Sequence, residues 1–259
     1  MIFETHAHYD HKQYDEDRDA VLQALPSKGV GAVINVGCDM KSSRAGVKLT
    51  QQYPFVYATV GVHPHDAKTL TEASMNELAA LAKNEKIVAF GEIGLDFNRN
   101  FSPPEVQRRW FKRQLELAAE LDLPVVIHSR DADNEVFDIL EASPHRRGVV
   151  HAFPGDVSLA QRYINLGFYL GIGGILTYDK TGRLKAVVEA MPLDKLLLET
   201  DCPYLTPVPH RGKRNESGYL SYVVDAIAEI KKMDAEEIKQ QMYTNACALF
   251  DIKGGNPIV

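Results

Sequence analysis

The chain has 259 residues, of which 45% are hydrophobic and 25% charged, with a formal net charge of -6. This is the composition of an ordinary globular protein with enough chain for a large core, and α/β barrels reach this length as one domain. No apolar run nears the ~18 residues of a helical membrane span, and the acidic balance excludes broad electrostatic capture of duplex nucleic acid.

Apolar, strand-like runs alternate with helical patterns from end to end. The first strand, 2–5, runs into His6-Ala7-His8, and a helix over 17–25 is stopped by Pro26. The second strand, 30–36, ends at Gly37, and 41–52 is helical. The third, 55–60, closes on Gly61-Val62-His63-Pro64-His65 and is followed by a helix over 71–82 with Thr71 as its cap. The fourth, 87–90, ends in Gly91-Glu92-Ile93-Gly94-Leu95-Asp96. Ser102-Pro103-Pro104 then opens a long helix to residue 121.

The fifth strand, 124–127, runs into His128-Ser129-Arg130 and a helix over 133–141. The sixth, 148–150, ends in His151-Ala152-Phe153 before a helix over 157–166. The seventh, 168–172, closes on Gly173-Gly174, and 182–190 is helical. The eighth, 196–198, ends in Glu199-Thr200-Asp201-Cys202-Pro203, and helices over 219–232 and 235–250 follow. Eight strands, each followed by helix across short connections, predict a (β/α)8 TIM barrel over residues 1–253 with a flexible tail at 254–259. A doubly wound open sheet is the structural alternative.

In a parallel barrel the carboxyl ends of the strands share one face, which carries the active site. His6 and His8, at i and i+2 of one strand, point the same way. Glu92, His128, His151 and Asp201 stand at four further strand ends. Each alone has an ordinary structural reading; together on one rim they predict a metal centre. Four imidazoles and two carboxylates suit two divalent ions, with imidazole favouring Zn and carboxylate Mg or Mn. No thiolate joins them, because Cys202 follows Asp201 directly and faces away. The expectation is a hydrolytic site that activates water. Asp201 and Glu92 are its candidate catalytic carboxylates.

Thr5-His6-Ala7-His8-Tyr9-Asp10, Gly61-Val62-His63-Pro64-His65, Gly91-Glu92-Ile93-Gly94-Leu95-Asp96, Ile127-His128-Ser129-Arg130, Leu198-Glu199-Thr200-Asp201-Cys202-Pro203-Tyr204-Leu205 and Arg211-Gly212-Lys213-Arg214-Asn215-Glu216 occur in this order along the chain. This set resembles the motifs of the TatD family of metal-dependent deoxyribonucleases. The resemblance implies a TIM barrel of the amidohydrolase superfamily that cuts DNA. It implies that His6, His8, Glu92 and Asp201 bind one ion and Glu92, His128 and His151 the other, with Glu92 bridging. Two departures stand out. The family usually has Ser-His-Cys-His-Leu-Asp at the first motif, and proline where this chain has Ser217. The second puts the loop shape near Asn215 and Glu216 in question.

Around this set, His63 and His65 read either as a polar loop or as groups reaching the scissile phosphate, with His63 a candidate for the water as well. Arg130 reads as a phosphate contact or a salt bridge at a helix start. Tyr204 reads as packing or as a base-stacking ring. Arg211, within the basic run from His210 to Arg214, reads as solvated charge or as a phosphate contact. Glu199 shares the face of Asp201 and is expected to orient a ligand.

The favoured function is an exonuclease on single strands or frayed ends. The alternatives are an amidohydrolase-type barrel acting on a small amide or ester or deacylating aminoacyl-tRNA, and a scaffold without turnover. No obligate protein partner and no membrane contact are inferred. The three scattered cysteines and the lack of a leader-like start give a cytoplasmic expectation.

Overall fold

Runs rich in Val, Ile and Ala, too short for helices and bounded by Gly, Pro or Asn, fold here as strands. In the computed structural model, which describes residues 1–253, there are eight. They are β1 (Ile2–Ala7), β2 (Val30–Asn35), β3 (Val56–Val60), β4 (Ile87–Asp96), β5 (Val125–Arg130), β6 (Gly148–Val150), β7 (Tyr169–Ile172) and β8 (Leu196–Leu198). All pair in parallel in sequence order from β1 to β8. The intervening helices are α1 (Arg18–Ala24), α2 (Met40–Gln52), α3 (Glu72–Leu81), α4 (Pro104–Glu120), α5 (Asp133–Ala142), α6 (Val157–Leu166) and α7 (Arg183–Ala190). Two more, α8 (Leu220–Lys231) and α9 (Ala235–Leu249), finish the described chain. This is a single-domain TIM barrel; the open-sheet alternative falls. The expected tail at 254–259 lies outside the described residues.

The ring closes between β8 and β1. Ala7 bridges Cys202, and the Asp201 and His8 amides donate to His6 O and Cys202 O at 2.9 and 2.8 Å. Inside the seam, the wholly buried Glu4 carboxylate accepts from the His6 amide and from both the amide and the hydroxyl of Thr200. Phe3, Ile34, Val88, Val126, Val149 and Leu197, from six strands around the ring, meet in one apolar cluster with Ala246, Leu249 and Phe250 at the end of α9. Side chains arriving from all sides are what a filled barrel interior requires. A larger apolar cluster joins the strands to the surrounding helices. Among the described residues no helix is long and apolar enough to cross a membrane.

Side-chain caps open four of the nine helices among the described residues. Thr71 caps α3 as expected, and Asp39 and Ser42 form a capping box on α2. Ser102 departs from expectation. Pro103 takes the cap position of α4, and the Ser102 hydroxyl is buried, accepting from the Lys68 amide and donating to His65 O.

The largest difference is β4. The expected strand ends at residue 90, yet the observed one continues through the glycines to Asp96. Gly91 and Gly94 hold φ of 154° and 148°. A Cβ on Gly94 would stand 1.9 Å from the His128 carbonyl oxygen. Only glycine tolerates that conformation and that approach to β5, so the glycines extend the strand and carry Glu92 within the barrel wall.

Helix α4 then holds the strand ends by side-chain amides. Gln107 and Gln114, two turns apart on one buried face, pair with both backbone groups of Asp96 and Val62 respectively, at 2.8–3.0 Å.

Candidate metal centre

The carboxyl ends of the strands deliver their donors to one point. His6 sits near the end of β1 and His8 lies just past it; Glu92 sits within β4, His128 within β5, and His151 and Asp201 follow β6 and β8. Backbone bonds hold these ends together: Glu92 N donates to Gly37 O at 2.6 Å and His151 N to Ile127 O at 2.9 Å. A cavity of about 600 Å³ opens over them, lined by all the expected site residues except His6 and Glu199, which are buried, and Arg211.

The donor atoms converge. His6 Nε2 lies 3.2 Å from His8 Nε2 and 3.4 Å from Glu92 Oε2. Asp201 Oδ1 is 3.2 Å from His8 Nε2 and 3.8 Å from His6 Nε2. A cation bonded at ~2.0–2.2 Å holds neighbouring tetrahedral ligands ~3.3–3.6 Å apart, close to the spacing of the His6, His8 and Glu92 donors, and Asp201 Oδ1 stands beside both imidazoles. The other Glu92 oxygen faces a second group. Oε1 lies 2.8 Å from His128 Nδ1 and 3.7 Å from His63 Nε2. His6, His8 and Glu92 form one possible metal-holding cluster, His63, Glu92 and His128 a second, and His6, His151 and Glu199 a third. Of the described buried polar atoms without a hydrogen-bond partner, His6 Nδ1, His151 Nδ1 and Glu199 Oε2 all belong to these clusters. Such concentrations mark functional sites.

Charge is distributed unevenly across the group. Burial pushes the Glu92 carboxyl up, but the His63 and His6 rings and the hydrogen bonds of His128 and His6 outweigh it and hold it well below the usual range. Burial and the neighbouring His128 hold His63 well below an ordinary histidine, as burial and His151 lower His6. Burial opposes protonation of His151 too, but the Glu199 carboxylate raises it to about 9. His8 and His128 are raised against the same burial, the first by Cys38 and Asp201 and the second by Asp96 and Glu92. Anionic oxygens gathered around imidazoles have the electrostatics of a cation site.

The structure brings His6, His8, Glu92, His128, His151 and Asp201 to one rim. The family resemblance implies a ligand set of Glu92, His128 and His151; His63 also stands against the first two of these. His151 instead stacks on His6 with ring centroids 3.5 Å apart, and its Nε2 is 4.0 Å from Asp201 Oδ1. Glu199 Oε1 lies 3.1 Å from His151 Nδ1 as an ion-pair contact and accepts from the Ala152 amide. A Cβ on Gly171 would come within 2.2 Å of Glu199 Oε2, so that glycine leaves room for the carboxylate. Arg130 and Tyr204 line the cavity, as do His63 and His65.

Arg211 lies outside the lining. Its guanidinium covers the Tyr178 ring at 3.8 Å and donates to Thr206 O. Arg214 pairs bidentately with Asp17, and His210 stacks on Tyr219. The basic run therefore ties down the β8–α8 connection.

Two site residues escaped the sequence reading. Asp96, fully buried, holds His65 Nε2 and His128 Nε2 at 2.9 and 3.1 Å on one oxygen, while the other accepts from the Asn98 and Arg99 amides. Its position two residues after Gly94 is visible in the sequence, but the expected strand stops at residue 90, short of the part that aims it. Cys38, just past β2, puts its sulfur 3.7 Å from His8 Nδ1 and 3.5 Å from Glu92 Oε2. Nothing in the sequence around it marked this.

The two departures from the family pattern touch each other. Tyr9 stands where the family has leucine, and its buried hydroxyl lies 2.7 Å from Ser217 Oγ and accepts from the Ser217 amide at 2.9 Å. Proline at 217 has no N–H to give. The nearby loop is then held by Asn215, whose side chain donates to Thr200 O and Tyr204 O. Ser217→Pro should cost about 1–3 kcal/mol by orphaning a buried hydroxyl. In a double-mutant cycle with Tyr9→Leu, denaturant unfolding should show a coupling of ~1 kcal/mol or more. Strictly additive effects would mean that the contact carries no energy.

Comparison with known proteins agrees with the geometry. The family model described as TatD related DNase matches residues 3–251. An uncharacterized metal-dependent hydrolase, YabD, of Bacillus subtilis is 41% identical over 254 residues, covering 97% of this chain and 100% of the relative. The 3'-5' ssDNA/RNA exonuclease TatD of Salmonella typhimurium is 35% identical over 259 residues, covering 97% and 99%. The crystal structure of YJJV, a TatD homologue from Escherichia coli, superposes with a TM-score of 0.91 at 32% identity over 97% of this chain and 98% of that one. A chain with this barrel, these converging donors and these relatives belongs to the TatD family of metal-dependent hydrolases.

Proposed function

We propose that this hydrolase cleaves phosphodiester bonds at the ends of single-stranded DNA, using a water activated between two divalent ions. One observation carries the reading: the Glu92 carboxylate turns Oε2 to His6 and His8 and Oε1 to His128 and His63. A carboxylate divided in this way is the natural bridge between two cations. His6, His8, Glu92 and Asp201 would hold the first. Glu92, His128 and His63 would hold the second, and His151 stands beside Asp201. Bound there, divalent ions supply the Lewis acidity that makes water nucleophilic and clamps the oxygens of the diester.

The chain's own groups do the rest. Asp201 takes the proton of the attacking water on its carboxylate. Asp96 fixes the ring orientations of His65 and His128. Arg99 and Arg130, on the cavity wall, receive the phosphate. The net charge of -6 disfavours a grip on continuous duplex, so substrate is held locally at the site. The Salmonella relative's name, a 3'-5' exonuclease on single-stranded DNA and RNA, supports an end-directed single-strand substrate.

Cleavage of a labelled oligonucleotide with Mg, Mn or Zn, against a parallel reaction on a small amide or ester, tests the reading. Hydrolysis of the amide alone would overturn it. Chelation should abolish turnover and leave the barrel folded, because the apolar clusters inside and around the ring do not involve the ions. Circular dichroism after EDTA should keep most of the helical signal; its loss would make the metals structural.

A further inference from the structure

Four large apolar side chains stand exposed among the described residues: Phe101 at 54%, Tyr204 at 48%, Val208 at 44% and Met233 at 39%. The two aromatic ones both line the metal-centre cavity. They come from the connections after β4 and β8, which the strand order places on opposite arcs of the ring. Neither ring is loose. Lys68 Nζ donates to Phe101 O at 2.9 Å, and the Phe101 ring meets His65 edge-on with centroids 4.8 Å apart. Asn215 Nδ2 donates to Tyr204 O at 2.6 Å, and the Tyr204 hydroxyl lies 3.3 Å from His11 Nε2. Each ring thus has a clamped backbone, one histidine at its side and about half its surface in water.

An apolar ring held in solvent costs free energy in the unbound protein and loses little freedom when a planar partner covers it. The same cavity is lined by donors of the metal centre and by Arg99 and Arg130, whose charge suits a phosphate. Two flat apolar surfaces flanking a phosphate site match two successive unpaired nucleotides, whose bases offer π-faces whatever their identity.

We propose that Phe101 and Tyr204 are base-stacking platforms for the two nucleotides on either side of the diester held at the metal centre. The proposal rests on the phosphodiester reading above. It also supplies that reading with its strand selectivity, because the bases of a duplex have their faces covered by neighbouring pairs. Phe101 is a binding residue under this assignment and Tyr204 its counterpart across the site.

The test separates base from backbone. Binding to the metal-loaded full chain is measured by fluorescence anisotropy, with a phosphorothioate oligothymidylate and an abasic chain of equal length. Phe101→Leu and Tyr204→Leu should each weaken thymidylate binding roughly tenfold and leave abasic binding nearly unmoved. Phe101→Trp and Tyr204→Phe keep a ring and should restore binding. Equal losses on both chains, no loss on thymidylate, or wild-type protein that does not prefer thymidylate over the abasic chain would each overturn the platforms. Hydrolysis of bis(p-nitrophenyl) phosphate by the same wild-type preparation reports separately on the phosphodiester reading. Bound thymidylate without any diester cleavage would sink that reading and leave the platforms standing. Diester cleavage with binding indifferent to both rings would do the reverse.

Discussion

Asp201→Asn is expected to lower kcat by ~10²–10⁴-fold, the usual cost of removing a general base, while most of the bound metal remains. Asparagine is the informative replacement. Asp201 sits at φ 56°, in the left-handed region that Asp and Asn tolerate and most residues resist. Its amide donates to His6 O and its carbonyl accepts from the Tyr204 amide, so the backbone there is held from both sides. Alanine would mix conformational strain with lost chemistry; asparagine keeps the turn and a neutral oxygen 3.2 Å from His8 Nε2. What it cannot do is accept a proton from water. The measurement is kcat over a metal titration beside elemental analysis of the bound metal. Recovery of wild-type rate at high metal would make Asp201 a ligand only, with His63 the next candidate for the base. His128→Ala, read the same way, should respond to added metal, because it removes a donor and leaves Asp201 in place.

Glu92→Gln should be the more damaging change, with activity falling on the order of 10⁴-fold or more and metal content falling with it. Glu92 is 3% exposed and surrounded by His6, His8, His63 and His128. The amide preserves shape but removes the anion that both donor groups share, so affinity should drop on both sides at once. Excess metal should not rescue it. That contrast distinguishes a bridge from a base: Asp201→Asn keeps metal and loses rate, Glu92→Gln loses both. A Glu92→Gln enzyme that retained its metal and its rate would remove the basis for a bridged pair of ions.

The barrel and its rim of donors were legible from the residues because they depend on local rules. Strand runs such as 148–150 and 196–198, and the helix over 157–166, match the observed elements residue for residue. Alternation of strand and helix implies a parallel sheet, and a parallel sheet brings all its carboxyl ends to one face. His6, His8, Glu92, His128, His151 and Asp201 could therefore be grouped without knowing a single contact. Partnership is a different matter. Arg214 looked like substrate-binding charge because its partner, Asp17, is 197 residues away. Asp96 falls outside the expected strand because close packing against β5, not propensity, keeps β4 extended through it. That His63 stands beside Glu92 and His128 while His151 stacks on His6 depends on distances of a few ångströms between side chains from different strands and strand ends. The sequence by itself determined which donor types reach the rim, since periodicity and chain order dictate that. Only the tertiary structure decided which oxygen faces which nitrogen, because long-range packing and hydrogen bonding fix side-chain direction, and neither leaves a local signature.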